Sequence, residues 1–187
     1  TCETACGDRF KNWLPGLPES TYDHRYVFDE IGYNLKPLEL QSAMGLEQIK
    51  KLPEMDKARR ENHQALYKIF KKYEHWFHMP DAEEGADPCW FAFLLTLKEE
   101  APFTKDSFIK YMEENRVQTR SYFRGNILYH PGYTHLAVGM DLDKEFPIAK
   151  KVTTNSFFLG TFIGITKEHL DYIEGIVDKF MVSRLEV

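Results

Sequence analysis

The chain has 187 residues, a formal net charge of -5 and an apolar fraction of 43%. This size allows one hydrophobic core, and the composition is typical of an ordinary globular domain. The mild acidity and the absence of Lys/Arg runs longer than two residues argue against nucleic-acid binding, and no apolar run is long enough to predict a membrane span. Three cysteines do not make a secreted disulfide scaffold, so we expect a cytoplasmic protein.

The first part of the chain contains an irregular segment followed by two predicted helices. Residues 1–30 show no sustained period and are predicted to be an extended arm or linker, whereas residues 31–187 are predicted to form one small domain. From residue 37 to 52 apolar and small residues occupy most of the helix circumference, which predicts burial on several faces. Pro53 is expected to end this helix, and an amphipathic helix is predicted at about 56–74.

The rest of the chain mixes predicted strands and helices. Short aromatic and apolar runs predict strands, and N-cap residues followed by periodic apolar positions predict helices. The predicted strands are 90–97, 117–123 and 156–162; the predicted helices follow Thr104, cover about 147–154 and follow Thr166. This order predicts an α+β fold in which helices cover one face of a small sheet.

Two polar segments are candidates for a binding site. In the first, Tyr33, Asn34 and Lys36 precede a helix whose first N–H groups can bind an anion such as phosphate. The alternative is an ordinary turn in which Asn34 caps the helix and Lys36 lies in solvent.

The second candidate segment follows a predicted strand and ends in a Gly-Asn turn rich in hydrogen-bond donors. An arginine in it can bind a phosphate, aromatic rings can stack on a base or a sugar, and an amide can bind hydroxyl groups. The candidate residues are Arg120, Tyr122, Phe123, Asn126 and His130. The alternative is a surface loop beside a sheet edge.

Several motifs together resemble a known family. The order Gly32-Tyr33-Asn34-Leu35-Lys36, Leu40-Gln41-Ser42-Ala43 and Gly45-Leu46-Glu47-Gln48 resembles a segment of the vitamin B6-dependent sugar aminotransferases and dehydratases, the DegT/DnrJ/EryC1/StrS family. The strand Asp87-Pro88-Cys89-Trp90-Phe91-Ala92-Phe93, the Thr119-Arg120 to Pro131 segment and the helix after Thr166 are similar to its 3-dehydrase subgroup, which acts on CDP-linked 4-keto-6-deoxyglucose.

This resemblance implies the C-terminal small domain of a fold-type I enzyme that is normally homodimeric. It implies that Asn34, with Lys36 and Tyr33, reaches the phosphate of pyridoxal or pyridoxamine phosphate held by the other subunit. The substrate would be a nucleotide-linked keto-deoxysugar, and the reaction would remove its C3 hydroxyl in 3,6-dideoxysugar and lipopolysaccharide O-antigen synthesis. A reductase is a further partner that the subgroup allows. The residue at the Schiff-base position, a Lys or a His, would lie in a preceding domain.

Cysteine thiolates are the usual ligands of a [2Fe-2S] cluster, which some members of the subgroup hold. Cys6-Gly7-Asp8-Arg9-Phe10 is similar to the end of that motif, but the interval from Cys2 does not match, and four ligands are needed. We therefore expect Cys2 and Cys6 to be free thiols and no metal site in this fragment. The alternative is that Cys6 serves as one cluster ligand in a full-length chain. Cys89 falls in a predicted core strand, where an inert buried thiol is expected.

Two other functions remain open from the sequence. The first is a sugar aminotransferase, which a Lys rather than a His at the Schiff-base position would indicate. The second is a binding or assembly module without catalysis. Because the main cofactor apparatus would lie in the preceding domain, we expect the isolated chain to be inactive.

Overall fold

The structure is a computed structural model that describes residues 10–12, 14–16, 19, 21–23, 27, 31–33, 35, 37–123 and 125–185. The chain divides into two compact units, and the boundary lies between Glu47 and Gln48. In the first unit, strands β1 (Phe10–Lys11) and β2 (Tyr22–Asp23) pair in antiparallel fashion. The division predicted near residue 30 stays a prediction.

Helix α1 (Glu39–Lys71) runs without interruption through Pro53, so the predicted break at this proline is wrong. A proline removes one N–H donor and crowds the preceding turn. Here the flanking residues are exposed, and the hydrogen-bonding on either side continues the helix.

The first half of α1 is exposed, although its sequence predicts burial on several faces. From residue 39 to 52 its large apolar side chains are all more than half exposed, and they are Leu40, Met44, Leu46, Ile49 and Leu52. A helix that is apolar on several sides needs partners on several sides. No described element of this chain buries that half.

The second unit contains a four-stranded antiparallel sheet in the order β3-β4-β6-β5. Its strands are β3 (Phe77–His78), β4 (Ala92–Leu97), β5 (Thr119–Ser121) and β6 (Ser156–Gly160). In β4 burial alternates strictly, so that Phe93, Leu95 and Leu97 point to one covered face. The sequence missed β3, which has only two residues. The predicted strands were too long by two residues at the start of β4, at each end of β5 and at the end of β6.

The covered face of the sheet packs against the second half of α1 and against α2 (Lys105–Glu114) and α5 (Lys167–Leu185). Phenylalanines from each layer meet there: Phe70 of α1, Phe108 of α2 and Phe180 of α5 are buried almost completely. The predicted α+β fold, with helices on one face of a small sheet, is confirmed.

Local sequence accounts for where several helices begin. The Thr104 side chain accepts a hydrogen bond from the N–H of Ser107, which caps α2 as predicted. Helix α5 begins directly after Thr166, whose N–H donates to Nδ1 of His169 at 3.1 Å. Between β5 and β6 lie two 3-10 turns (127–129 and 134–137), the short helix α3 (Leu142–Glu145) and α4 (Pro147–Asn155).

Candidate functional site

Arg120 lies on the exposed face of β5, and its cross-strand partner is Phe158 of β6. Cross-strand partners share one face of a sheet, so Arg120 and Phe158 belong to the face that the helices of the core leave open. The ring centre of Phe158 lies 5.9 Å from that of Phe91 and 6.1 Å from that of Phe123. This face therefore combines one cation with exposed aromatic rings.

A tight turn follows β5 and has an unusual backbone. Phe123 has φ 45° and Gly125 has φ 56°, and the N–H of Gly125 donates to the carbonyl of Tyr122 at 3.1 Å. A positive φ is costly for a bulky residue such as Phe, whereas Gly adopts it freely. The conformation leaves the Phe123 ring 71% exposed, so it is available to a ligand or to another part of the protein.

Thr153 of α4 anchors this turn. Its Oγ1 accepts the N–H of Asn126 at 2.9 Å and donates to the Ala149 carbonyl at 2.7 Å. A Cβ on Gly125 would lie 2.2 Å from the same Oγ1, so only glycine fits there. Thr153 was missed by the sequence analysis because it lies 27 residues from Asn126 and no local pattern connects the two.

The Asn126 side chain is 8% exposed, and its two polar atoms, Oδ1 and Nδ2, differ in their hydrogen bonding. Its Oδ1 accepts the N–H of Leu128 at 3.0 Å and caps a 3-10 turn. Its Nδ2 is buried without a hydrogen-bond partner among the described residues. A buried donor left unpaired costs about 1–3 kcal/mol, so a ligand or a further part of the protein that reached this group would relieve that cost.

The residues after Asn126 hold a surface network. Tyr129 donates from its hydroxyl to Asp143 at 2.6 Å, which raises the pKa of the tyrosine. A hydrogen bond from Lys150, followed by that from Tyr129, lowers the pKa of Asp143. The backbone N–H of His130 donates to the Ile127 carbonyl at 2.9 Å, so the histidine is placed directly at the end of the first 3-10 turn.

A pocket of about 760 Å³ opens between the turn and the start of α4. Its walls are mainly apolar, and its principal side chains are Tyr122, Phe123, Ile127, Phe146, Ile148 and Val152. Of the predicted substrate residues, the structure thus brings Tyr122 and Phe123 to this pocket. Arg120 does not line it, but its cross-strand partner Phe158 has a ring centre 6.1 Å from that of Phe123.

The predicted cofactor segment is described only in part. The Tyr33 side chain is 93% exposed, whereas Asn34 and Lys36 lie outside the described residues. At the start of α1 the N–H of Leu38 donates to Oε1 of Gln41 at 2.8 Å. The roles of Tyr33, Asn34 and Lys36 stay predictions.

The segment before β4 is bound to α1, and it corrects the prediction for Cys89. Arg60 pairs with Asp56 at 3.0 Å and also with Asp87. Cys89 is an exposed free thiol rather than a buried one, because β4 begins only at Ala92. A hydrogen bond with Asp56 raises the pKa of the Cys89 thiol, which makes it a weak nucleophile at neutral pH.

His63 is buried under the same segment. Its ring stacks on Trp90 with centres 4.1 Å apart, and its Nε2 has no hydrogen-bond partner among the described residues. Burial lowers its pKa from 6.5 to about 4, so the ring is neutral at pH 7.

No group of three or more His, Cys, Asp or Glu side chains among the described residues is arranged to hold a metal ion, and Cys2 and Cys6 lie outside that part of the chain. No described helix is long and apolar enough to cross a membrane.

The fold is that of a small α+β domain, and one face of its sheet is open and carries exposed aromatic rings. The model of the DegT/DnrJ/EryC1/StrS aminotransferase family matches residues 14–178, and the chain belongs to this family. The family predicted from the motifs is therefore confirmed.

Named relatives match nearly the whole chain. It is 32% identical to the lipopolysaccharide biosynthesis protein RfbH of Salmonella typhimurium, over 96% of this chain and 40% of that protein. It is also 32% identical to dTDP-4-dehydro-2,6-dideoxy-D-glucose 3-dehydratase of Saccharopolyspora spinosa, over 97% of this chain and 38% of that protein. The chain thus spans about two fifths of these curated relatives.

A solved aminotransferase shares the fold. The X-ray structure of the aminotransferase from Psychrobacter cryohalolentis matches with a TM-score of 0.74 and 16% identity, over 87% of this chain and 42% of that one. The four-stranded sheet with its helices therefore has the architecture of one part of a larger aminotransferase-fold chain.

Proposed function

We propose that this chain is the C-terminal part of a pyridoxal or pyridoxamine phosphate-dependent nucleotide-sugar 3-dehydrase. The enzyme would remove the C3 hydroxyl of a nucleotide-linked 4-keto-6-deoxyhexose in dideoxysugar and lipopolysaccharide synthesis. The observation that carries the proposal is that a relative named as a 3-dehydratase matches 97% of the chain. We propose a cytoplasmic homodimer, with residues 1–30 as a linker from a preceding domain.

The donor set of the first candidate segment fits the cofactor phosphate. Tyr33 presents a hydroxyl that is almost fully exposed, Asn34 carries an amide donor and Lys36 a cation. All three precede α1, so they would reach outward from this subunit to a phosphate held elsewhere. When bound, the cofactor supplies the amine and the electron-accepting ring that cleavage of the C3–O bond requires.

The substrate residues divide by chemistry. Arg120 would bind the diphosphate, because it is an exposed cation on the open sheet face. Tyr122 and Phe123 would pack on the rings of the substrate, Asn126 would donate from its unpaired Nδ2 to a hydroxyl group, and His130 would contact the substrate beside them.

The decisive experiment uses the complete protein with a 4-keto-6-deoxyhexose nucleotide and pyridoxamine phosphate. Loss of the C3 hydroxyl, detected by mass spectrometry and NMR, is expected from the complete protein and not from the 187-residue chain. A complete protein that leaves the C3 hydroxyl in place would refute the proposal. Turnover by the 187-residue chain alone would contradict the need for a preceding domain.

Two variants of the complete protein test the assigned roles. Arg120→Ala should raise the substrate KM about tenfold or more, since a charged hydrogen bond contributes about 1.5–3 kcal/mol. Lys110→Ala, which removes an exposed cation of α2, is the matched control and should leave KM unchanged. Asn34→Ala should weaken cofactor retention during dialysis; unchanged retention would remove Asn34 from the phosphate site.

A sugar aminotransferase is the second candidate, favoured by the fold shared with the Psychrobacter cryohalolentis aminotransferase. In that case the complete protein would transfer an amino group from an amino-acid donor to the sugar ketone. Glutamate-dependent formation of an amino sugar, with the C3 hydroxyl retained, would decide for this alternative.

A further inference from the structure

Strand β5 carries Arg120 but gains little support from the sheet itself. It has three residues, its described strand partner is β6, and it forms one edge of the four-stranded sheet. Within the strand Thr119 is buried, whereas Arg120 and Ser121 are exposed. A short edge strand gains few ladder hydrogen bonds, so its conformation depends on contacts from outside the sheet.

Glu113 of α2 supplies such a contact. One oxygen of its carboxylate, Oε1, accepts the N–H of Thr119 at 2.5 Å and the Thr119 hydroxyl at 2.7 Å. The first bond engages a backbone donor of an edge strand, and the second satisfies a hydroxyl on the buried side of the sheet. Hydrogen bonds to a carboxylate are stronger than those to a neutral acceptor, so this pair holds the start of β5 firmly.

The connection between α2 and β5 fixes Glu113 relative to the strand. The Glu113 carbonyl accepts the N–H of Arg116 at 2.9 Å, and the Met112 carbonyl accepts that of Val117 at 2.9 Å. Arg116 has φ 61°, the left-handed conformation in which many helices end. Glu113 therefore binds the connection through its backbone and β5 through its side chain.

Glu113 also acts on Arg120 through its charge. The hydrogen bond from the Thr119 N–H, followed by that from the Thr119 hydroxyl, lowers the pKa of Glu113, and the positive charge of Arg120 lowers it further. The carboxyl group is therefore ionised at neutral pH. Its removal would change both the position of β5 and the electrostatic potential at Arg120, and a pair of variants with equal charge separates these two effects.

We infer that Glu113 is a positioning residue, which holds the start of β5 at Thr119 and thereby presents Arg120 in the orientation that binds a diphosphate. The inference rests on the proposed function, which assigns the diphosphate to Arg120, and it adds a residue of α2 that lies in neither candidate segment. A cation that is held in place before the ligand arrives loses less conformational freedom on binding. A supporting residue can thus strengthen binding without touching the ligand.

Two substitutions at Glu113 remove the same charge but differ in geometry. Glu113→Gln keeps an oxygen that can accept both hydrogen bonds from Thr119, whereas Glu113→Ala removes it. Each is made in the complete protein with its cofactor bound, and again together with Arg120→Ala. Inorganic pyrophosphate is the probe, and isothermal titration calorimetry measures its dissociation constant without any need for turnover.

We expect Glu113→Ala to bind pyrophosphate about fivefold more weakly than Glu113→Gln, and the two to bind it equally in the Arg120→Ala background. Because the two variants have the same net charge, the difference reports the position of Arg120. Thr119→Val keeps the backbone bond and loses the hydroxyl bond, so it should weaken binding by only about twofold. Glu114 pairs with Lys110 within α2, and its Ala and Gln variants are the controls, which should bind equally.

A difference of the same size in the Arg120→Ala background would overturn the positioning role, because the loss would not act through Arg120. Equal binding by Glu113→Ala and Glu113→Gln would overturn it as well. Urea unfolding checks that Glu113→Ala still folds, and if it does not, Thr119→Val against Thr119→Ser supplies the same comparison.

The outcomes separate this inference from the proposed function. Pyrophosphate binding that Arg120→Ala leaves unchanged would remove the diphosphate role of Arg120 and the positioning role with it. Equal binding by the two Glu113 variants would overturn only the positioning role, even if the complete protein deoxygenates a nucleotide sugar. A difference that depends on Arg120 would support that role even if the reaction proved to be amino transfer.

Discussion

The two halves of α1 have similar apolar content but opposite environments. Leu66 and Phe70 in the second half are fully buried in the core, whereas Leu46 and Ile49 in the first half are about two-thirds exposed. The second half meets a sheet and two helices of its own chain, and the first meets no described element that buries it. Apolar pattern predicts that a helix face will be covered, but not which chain or domain covers it.

The largest expected difference between the two halves of α1 is in the free energy of unfolding when one apolar side chain in each half is truncated. Phe70→Ala should lower the free energy of unfolding by about 3–5 kcal/mol, because it opens a cavity among packed rings. Leu46→Ala should change it by less than about 0.5 kcal/mol, because that side chain is 64% exposed. Urea unfolding of the 187-residue chain measures both, and equal losses would show that the first half is also buried in solution.

His63 lies in the buried second half of α1, and its burial predicts that the free energy of unfolding depends on pH. Its pKa is about 4 in the folded chain against 6.5 when exposed, so the unfolded state binds the proton more strongly. The contribution of neutral, buried His63 to the free energy of unfolding is fully present above pH 6.5. It decreases by about 3 kcal/mol as the pH falls towards 4.

The matched variant for His63 is His63→Phe, which keeps an aromatic ring against Trp90 but does not titrate. Urea unfolding at pH 7 and pH 4 should show the wild type losing about 3 kcal/mol more than this variant. The carboxylates titrate in both proteins, so the difference isolates His63. Parallel pH profiles would show that the ring is not buried as a neutral group.

The Gly125 turn tests a third environment, a loop fixed by one side chain outside the main core. Gly125→Ala should cost about 1–3 kcal/mol, because the new Cβ would meet Thr153 Oγ1 at 2.2 Å. Gly139→Ala is the control, since Gly139 also has a positive φ, 80°, but nothing lies within 4 Å of its Cβ position. An equal loss in urea unfolding would attribute the whole effect to backbone conformation, not to the contact with Thr153.

Local and periodic features were predicted well from the sequence. The Thr104 cap, the position of Thr166 before α5 and the buried stripe of α5 depend on neighbours within a few residues. The α+β order followed from the same signals.

Features that depend on tertiary contacts were not predicted. The exposed position of Cys89 depends on where β4 begins and on contacts with α1, and the Thr153 anchor joins residues 27 apart. Pro53 lies where the helix continues despite one missing donor. The site was found through Arg120, Tyr122 and Phe123, but its opposite wall on α3 and α4 carried no local signal.

The smallest expected effect on global stability comes from Pro53→Ala. This variant tests whether the first half of α1 opens locally, independently of the buried second half. Alanine restores an N–H that can donate to the Ile49 carbonyl, so amide exchange in residues 45–52 should slow. The free energy of unfolding should rise by less than about 1 kcal/mol, because the stabilised turns lie outside the buried core. Lys51→Ala, at an exposed position of the same helix, is the control and should alter neither quantity appreciably. A gain of several kcal/mol in global stability would mean that both halves of α1 unfold as one unit with the core, and the contrast between them would then be one of exposure alone.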